Sequence, residues 1–281
     1  IEVSNMQRRN IPINPFGQEQ VLYDNPEFPS IVYNTLIVAN SVGYIPLHWH
    51  DEWQMQIVEA GSVEMHVQGD VHTIEAGQGL WIHSGVVHEA YALTDDARYR
   101  CWNIQPDLLP RFLRQCFEQR GPKHGYVLLT DDGWQQECLA IIAHAMASDD
   151  EFTIYDDFVK VAHLLCTHAE KGIKKPAFDE RLKELLAYIH IHYTEKLTLD
   201  ELASVVYLSD SETIRLFKKS LQMTPFQYIL KYRLEKSREL LQHTDEAVTD
   251  IALEIGFSSA SYFIQKFKEA YDITPKQFQM L

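Results

Sequence analysis

Two hydrophobic periods divide the chain. From about Val32 to Gln105, short runs such as "GSVEMHV" alternate apolar with polar residues, and glycine-containing turns separate these runs. A two-residue period is typical of β-strands that bury one face. Several strands at such short spacing predict a small antiparallel barrel or sandwich over residues 1–105.

After Pro106 the period lengthens to that of amphipathic helices. The segments that show it are "LLPRFLRQCFEQ", "GWQQECLAIIAHAMA" and "IYDDFVKVAHLLCTHAEKG". They predict a helical linker or dimerisation region at 106–172, although helices of this kind more often pack on the strands of their own domain. The segment "EKGIKKPAFDE" contains charges, glycine and proline and predicts a hinge, after which residues 178–281 are predicted to be helical.

The last region contains an internal repeat. Its copies are Leu197–Tyr228 and Val248–Phe278, and the dipeptides Phe-Lys and Thr-Pro recur in the same order in both. In each copy the apolar stripe of a short helix is followed by a turn and a second helix. This arrangement predicts helix-turn-helix motifs at about 198–221 and 248–271.

A long helix is predicted between the two motifs. Thr224 supplies its N-cap, and Pro225 suits its first turn. From Pro225 to Gln242 this helix would extend about 27 Å. Since successive major-groove faces of DNA lie roughly 34 Å apart, one chain would be able to read two of them.

The repeated region resembles the DNA-binding domain of AraC/XylS-type transcriptional regulators. The resemblance lies in "RLFKKSLQMTPFQYILKYRLEKSRELL" and "VTDIALEIGFSSASYFIQKFKEAYDITPKQF" and extends over about residues 180–279. It implies a bacterial cytoplasmic regulator that binds double-stranded promoter DNA through two helix-turn-helix motifs. We therefore expect a homodimer that is neither an enzyme nor a membrane protein.

The resemblance also places DNA contacts on the second helix of each motif. It implies roles for Ser211, Glu212, Ile214, Arg215, Lys218, Lys219, Ala260, Ser261, Tyr262, Ile264, Gln265, Lys266 and Lys268. Arginine suits guanine and glutamine suits adenine, whereas the lysines would lie near phosphates. Glu212 follows Ser209 by three residues and so also fits a capping box, and the lysines also fit a solvated helix face. Thr213 stands where the family usually has a large apolar residue, which leaves the packing of this helix open.

Net charge changes this interpretation only slightly. The formal charge of −15 argues against a nucleic-acid partner, but residues 178–281 contain 13 Lys and Arg against 16 Asp and Glu, a net of −3. Most of the acidity therefore lies in the N-terminal part. A nearly balanced DNA-binding region predicts modest affinity that falls quickly with salt.

A second chemical signal is the histidine pair in "PLHWHDEWQ". Side chains two positions apart on a strand face the same side, so His48 and His50 are predicted to share one space. Through "GYIPLHWHDEWQ" and "GLWIHSGVVHEA", the strands resemble the cupin-type sensor domain often joined to this DNA-binding unit. The implied fold is a cupin-like antiparallel β-barrel followed by helices. Its pocket for a small-molecule effector, of which a sugar is one example, would be lined by His48, His50, Trp53, Gln54, Trp81, His88 and Tyr91.

Other uses of the histidines stay open. His48, His50 and His88 have the chemistry to hold a divalent metal such as Zn, Ni or Fe, or they form an inert core. A metal-binding cupin would add a glutamate where Gln54 or Met55 stands, and a neutral amide replaces an anionic ligand poorly. No cofactor is therefore certain.

Two other classes of function compete with the regulator. One is a metal-dependent cupin enzyme or metal sensor with an appended DNA-binding domain. The sequence contains no nucleophile elbow, P-loop or Rossmann glycine pattern, which weakens the case for catalysis. The other is a scaffold whose helix-turn-helix units bind protein, an alternative that only the acidic charge favours.

Overall fold

A computed structural model describes residues 11–14, 16–39, 43–130, 133–170 and 180–280. Within these ranges the chain forms two compact units, one mainly over 18–170 together with 11–14, and the other mainly over 180–280. The hinge predicted in "EKGIKKPAFDE" lies almost wholly outside the described residues. Among the helices that are described, none is both long and apolar enough to cross a membrane.

The first unit contains two antiparallel sheets. Their orders are β1-β8-β3-β6-β9 and β2-β7-β4-β5. The strands are β1 Ser30–Leu36, β2 Ile45–His48, β3 Trp53–Ala60, β4 Ser62–Val67, β5 Asp70–Glu75, β6 Gly79–Ile82, β7 His88–Ala92, β8 Arg98–Ile104 and β9 Tyr126–Leu129. The predicted antiparallel strands are confirmed, but no hydrogen-bonded closure into a barrel is found among the described strands.

Strand β3 separates two apolar cores because its side chains alternate between the faces of the sheet. Trp53 and Met55 face the helices, where they pack in one cluster with residues of α1 and α3. Val58 faces the second sheet and packs with Val63 of β4 in the cluster between the sheets. Polar residues on the inner face of β3 are therefore enclosed within the sandwich.

Three helices cover the outer face of the five-stranded sheet. They are α1 Arg111–Arg120, α2 Trp134–Ala147 and α3 Glu151–His168. The ring of Phe117 in α1 lies 4.2 Å from that of Trp53, and the ring of Phe158 in α3 lies 5.3 Å from it, centroid to centroid. The helices predicted at 106–172 thus pack on the strands of their own unit.

One strand in this region was missed. Residues 106–172 were predicted to be helical, whereas β9 lies between α1 and α2 and pairs with β6. Its four residues "YVLL" are apolar without alternation, and so short a run has no distinguishing period. Pairing with a sheet edge far away in sequence determines its conformation.

The second unit is helical throughout its described length. Its helices are α4 Glu180–His192, α5 Leu199–Val205, α6 Asp210–Leu221, α7 Pro225–His243, α8 Val248–Glu254, α9 Ala260–Tyr271 and α10 Pro275–Phe278. The two predicted helix-turn-helix motifs are α5–α6 and α8–α9. Capping boxes begin α5, α6, α7 and α10. The N-cap of α9 is Ser259, whose side chain accepts a hydrogen bond from the backbone N–H of Tyr262.

The two motifs differ in their turns. Both use a left-handed residue after the first helix, Tyr207 with φ 55° in the first motif and Gly256 with φ 86° in the second. A Cβ atom at Gly256 would lie 2.5 Å from the carbonyl oxygen of Thr194, so glycine is required there by both conformation and space. Tyr207 has no such constraint and is 95% exposed.

Thr213 is fully buried in the first motif. Its hydroxyl donates a hydrogen bond of 3.1 Å to the carbonyl oxygen of Ser209, one turn earlier in the chain. The polar group is therefore satisfied within the helix, and its methyl group remains available for packing. This arrangement accounts for a threonine where the resemblance led us to expect a large apolar residue.

Candidate effector and DNA-binding sites

Strand pairing brings three histidines together between the sheets. Strands β2 and β7 are antiparallel neighbours, and their register places His48 opposite His88. His50 follows two positions after His48. The ring centroids of His48 and His88 are 4.2 Å apart, and those of His50 and His88 are 5.1 Å apart. All three side chains are buried.

Backbone carbonyls hold one nitrogen of each histidine ring. The Nδ1 atoms of His48 and His88 lie 2.7 and 2.9 Å from the carbonyl oxygens of Pro46 and Val86. Since a carbonyl only accepts, these nitrogens donate, so the Nε2 atom of each ring carries a lone pair when the ring is neutral. The Nδ1 atom of His50 lies 3.2 Å from the backbone carbonyl oxygen of Glu52, a longer contact than the other two.

His88 stays neutral. Burial lowers its pKa well below the ordinary histidine value, and positive charge on His48 or His50 would lower it further. Its Nε2 atom is buried and has no hydrogen-bond partner within the described structure. A buried nitrogen lone pair without a donor is uncommon in folded proteins, so this atom is a candidate ligand-binding group.

Two buried carboxylates, which the sequence analysis did not identify, flank the histidines. Glu19 lies in the segment before β1, where Gln18 bridges to Trp49, and its Oε2 atom is 3.5 Å from Nε2 of His48. The carboxylate of Glu52 approaches Nδ1 of His50 at 3.5 Å. The neighbouring groups that donate to Glu52 are the hydroxyl of Tyr23 and the amide of Gln105.

Gln54 completes the inner surface of the site. Its side-chain oxygen lies 2.9 Å from Nε2 of His50, and its amide nitrogen donates to Gln56 at 2.9 Å. Met55 points to the helical core instead, so Gln54 occupies the place where a cupin glutamate would stand. The adjoining cavity has a volume of about 20 Å³, and its lining includes Glu19, His48 and Gln54.

Three predicted pocket residues lie elsewhere. Trp53 and Trp81 face the helices, with their rings 5.3 Å apart in the outer core. Tyr91 lies on the outer face of the four-stranded sheet, where its ring stacks 5.2 Å from that of Tyr44. Trp53 is adjacent to Gln54, and Tyr91 is three residues from His88, so strand alternation turns each pair to opposite faces. Of the predicted pocket residues, the structure brings together His48, His50, Gln54 and His88.

The outer face of the same sheet carries a separate ionic cluster. His66 in β4 lies 2.8 Å from a carboxylate oxygen of Glu64 and 3.3 Å from one of Glu89. Its pKa is raised, mainly by the hydrogen bond to Glu89, although burial opposes the shift. The charged form of His66 therefore stabilises the fold.

This charge predicts a pH dependence of stability. Because the folded pKa of His66 is raised, its stabilisation is complete below the unfolded pKa of about 6.5 and is lost as the pH rises through the folded pKa. We expect His66→Gln to destabilise the protein at pH 6 more than at pH 8. Urea unfolding of both proteins in EDTA measures this difference. Equal destabilisation at the two pH values would contradict the assignment.

The predicted DNA-contacting residues of α6 lie on one exposed surface. Ser211, Arg215 and Lys218 follow the helical spacing of four and three residues, and all are exposed, as are Glu212 and Lys219. Ile214 is half-buried. On the opposite face, Phe217 is fully buried. Glu212 also closes the predicted capping box with Ser209, which is confirmed.

Helix α9 repeats this division. Phe263 and Phe267 are fully buried, whereas Ser261, Gln265 and Lys268 form an exposed line. The remaining predicted contacts are Tyr262 and Ile264, which are exposed, and Ala260 and Lys266, which are half-buried. Gln265 donates to Glu269 at 2.8 Å, and Lys266 pairs with the same carboxylate at 2.6 Å. The acidic Glu269 thus contacts two of the candidate DNA-binding side chains.

Comparisons with known proteins agree with this architecture. Residues 202–280 match the family described as a helix-turn-helix domain, and residues 38–154 match the AraC-like ligand binding domain. The HTH-type transcriptional regulator YdeC of Bacillus subtilis (strain 168) is 32% identical, over 97% of this chain and 99% of its own. The HTH-type transcriptional activator RhaS of Klebsiella pneumoniae (strain 342) is 31% identical, over 83% and 87%.

Among solved structures, ToxT from Vibrio cholerae matches 90% of this chain and 98% of its own, at 12% identity and a TM-score of 0.46. The two helix-turn-helix motifs and the N-terminal sandwich, together with the two family matches, define a transcriptional regulator that has a ligand-binding domain and a DNA-binding domain. The chain belongs to the AraC family of transcriptional regulators.

Proposed function

We propose that this regulator reads promoter DNA with α6 and α9, and that a small molecule bound between the N-terminal sheets changes the affinity. The division of both helices into a buried aromatic face and an exposed polar face carries the proposal. Each motif then presents its second helix to the major groove. The protein would act as a homodimer in the bacterial cytoplasm and catalyse no reaction.

The size of the inner cavity indicates how an effector would act. At about 20 Å³ the cavity beside His48 has room for roughly one water molecule, whereas pockets for drug-sized ligands measure about 300–1,000 Å³. A sugar-sized effector would therefore have to open the space between the sheets. A ligand that binds only the opened arrangement shifts the population toward it, which links binding to a change of conformation.

Selection of binding sites from a random duplex library, using the full-length protein, tests the DNA-binding part. We expect a preferred duplex with two contacted elements about one helical turn apart, bound more tightly than a shuffled duplex of the same composition. Its affinity should fall steeply as salt rises, since phosphate contacts release counterions. Equal affinity for the selected and shuffled duplexes would overturn the proposal.

A further inference from the structure

We propose that the N-terminal unit contains a site for a divalent transition-metal ion such as Zn²⁺, with His48, His50, His88 and Glu19 as its ligands. The site goes beyond DNA binding and does not depend on it. Its anionic ligand comes from the segment before β1, because the strand position of the cupin glutamate is held by the neutral Gln54.

The donor atoms already converge. One nitrogen from each of the three histidines lies within 4.8 Å of the others. Zinc binds nitrogen at about 2.0–2.1 Å, which places tetrahedral ligand atoms about 3.3 Å apart, so closure onto one ion needs shifts on the order of 1 Å. Rotation of buried imidazole rings about their side-chain bonds supplies movements of this size.

The rings are held in the manner of metal ligands. Histidines that bind a metal through one nitrogen usually donate the other N–H to a carbonyl or carboxylate, which fixes the ring and its tautomer. His48 and His88 do so through the carbonyls of Pro46 and Val86. His88 is 1% exposed, and its Nε2 atom has no hydrogen-bond partner within the described residues. This buried nitrogen without a partner indicates a ligand, and the observation is independent of the spacing of the donor atoms.

Glu19 supplies the proposed fourth ligand from the His48 side of the cluster. Its Oε2 atom lies 3.5 Å from Nε2 of His48, close to the separation of about 3.3 Å between two ligands of a tetrahedral ion. Glu19 is 4% exposed, and a cation would neutralise the carboxylate charge in a place that water barely reaches. Three imidazoles with one carboxylate form a donor set that suits zinc and related first-row metals.

The volume of the cavity and the contact between Gln54 and His50 are consistent with a bound ion. The cavity bordered by Glu19, His48 and Gln54 has room for about one water molecule, so a single metal ion fits beside these side chains. The Gln54 amide contacts Nε2 of His50 at 2.9 Å, and metal binding replaces this contact. Gln54→Glu is therefore expected to tighten metal binding by adding an anionic oxygen beside His50.

The test measures metal binding by full-length protein stripped with a chelator. We expect one Co²⁺ per chain, with the intense visible absorption of a four-coordinate ion, and Zn²⁺ that displaces it in competition with a chromophoric chelator. Glu19→Gln preserves size but removes a ligand, so it should weaken Zn²⁺ binding by more than the roughly 10- to 100-fold that loss of a partner outside the coordination shell costs. His88→Gln should abolish stoichiometric binding, and Gln54→Glu should strengthen it.

The outer-face pair supplies a matched control. His66 and Glu89 also place an imidazole beside a carboxylate, but they lie on the other side of the four-stranded sheet. We expect His66→Gln and Glu89→Gln to bind Zn²⁺ like the wild type. Far-ultraviolet circular dichroism and thermal unfolding in EDTA show which variants are folded. Absence of stoichiometric metal in the folded wild type, or unchanged affinity in folded Glu19→Gln, would overturn the proposal.

Discussion

Arg215→Ala is expected to cost about 1–3 kcal/mol of binding free energy on the selected duplex and to relax the base preference at one position. Arg215 is exposed on α6, on the same helix face as Ser211 and one turn before Lys218. A guanidinium group there can donate two hydrogen bonds to guanine, and alanine leaves both acceptors without that partner. Fluorescence anisotropy on the duplex and its single-base variants measures the effect.

A neighbouring lysine separates base contacts from general electrostatics. Lys219 is also exposed on α6, so Lys219→Ala removes one positive charge from the same surface. We expect it to weaken binding to all duplexes to a similar degree and to reduce the salt dependence by about one counterion. If Arg215→Ala shows this uniform pattern, the residue contacts phosphate. If its affinity and base ranking equal those of the wild type, Arg215 does not contact DNA.

The helix-turn-helix unit was predictable because its signals are local. Thr198, Ser209 and Thr224 each precede a helix, and each makes the capping hydrogen bonds that its spacing predicts. Apolar residues at helical spacing form the buried faces of the helices, as at Leu202 and Phe263. Neither kind of signal depends on residues far away in the chain, so the sequence alone located both motifs to within a residue or two.

The inner site was predicted only in part, for two physical reasons. Side chains alternate between the two faces of a strand. The alternation that places His48 and His50 on one side also turns Trp53 and Tyr91 away from the candidate site, so applying it along each strand excludes both residues from the pocket. Glu19 is a different case. It reaches His48 through a bridge between segments about thirty positions apart, and no local pattern encodes that approach.

Local sequence signals likewise do not determine how the strands are arranged into sheets. Alternation identifies a strand and its buried face, but it does not determine whether two sheet edges pair or remain apart. The described strands therefore form two sheets in place of the predicted barrel. The short β9 extends one of these sheets by pairing with β6. Both outcomes depend on contacts between segments distant in sequence.

Phe267→Ala is expected to destabilise the C-terminal unit by about 3–5 kcal/mol, which approaches the whole stability of a small domain. Phe267 is fully buried in α9, and its ring centroid lies 5.6 Å from that of Phe263, 4.7 Å from that of Tyr271 and 5.6 Å from that of Phe278. Alanine would leave a cavity shared by α9 and α10. Since the exposed face of α9 depends on this packing, DNA binding should fall with stability.

The adjacent Lys268 provides the control for this substitution. It lies on the exposed face of α9, so Lys268→Ala should change the unfolding free energy by no more than about 0.5 kcal/mol. Urea unfolding followed by circular dichroism, which reports mainly on the helical unit, compares the two variants. If Phe267→Ala lowers the unfolding free energy by less than about 1 kcal/mol, the second motif repacks into the space that the ring leaves. The aromatic face of α9 would then fill space without determining how the helix is presented to DNA.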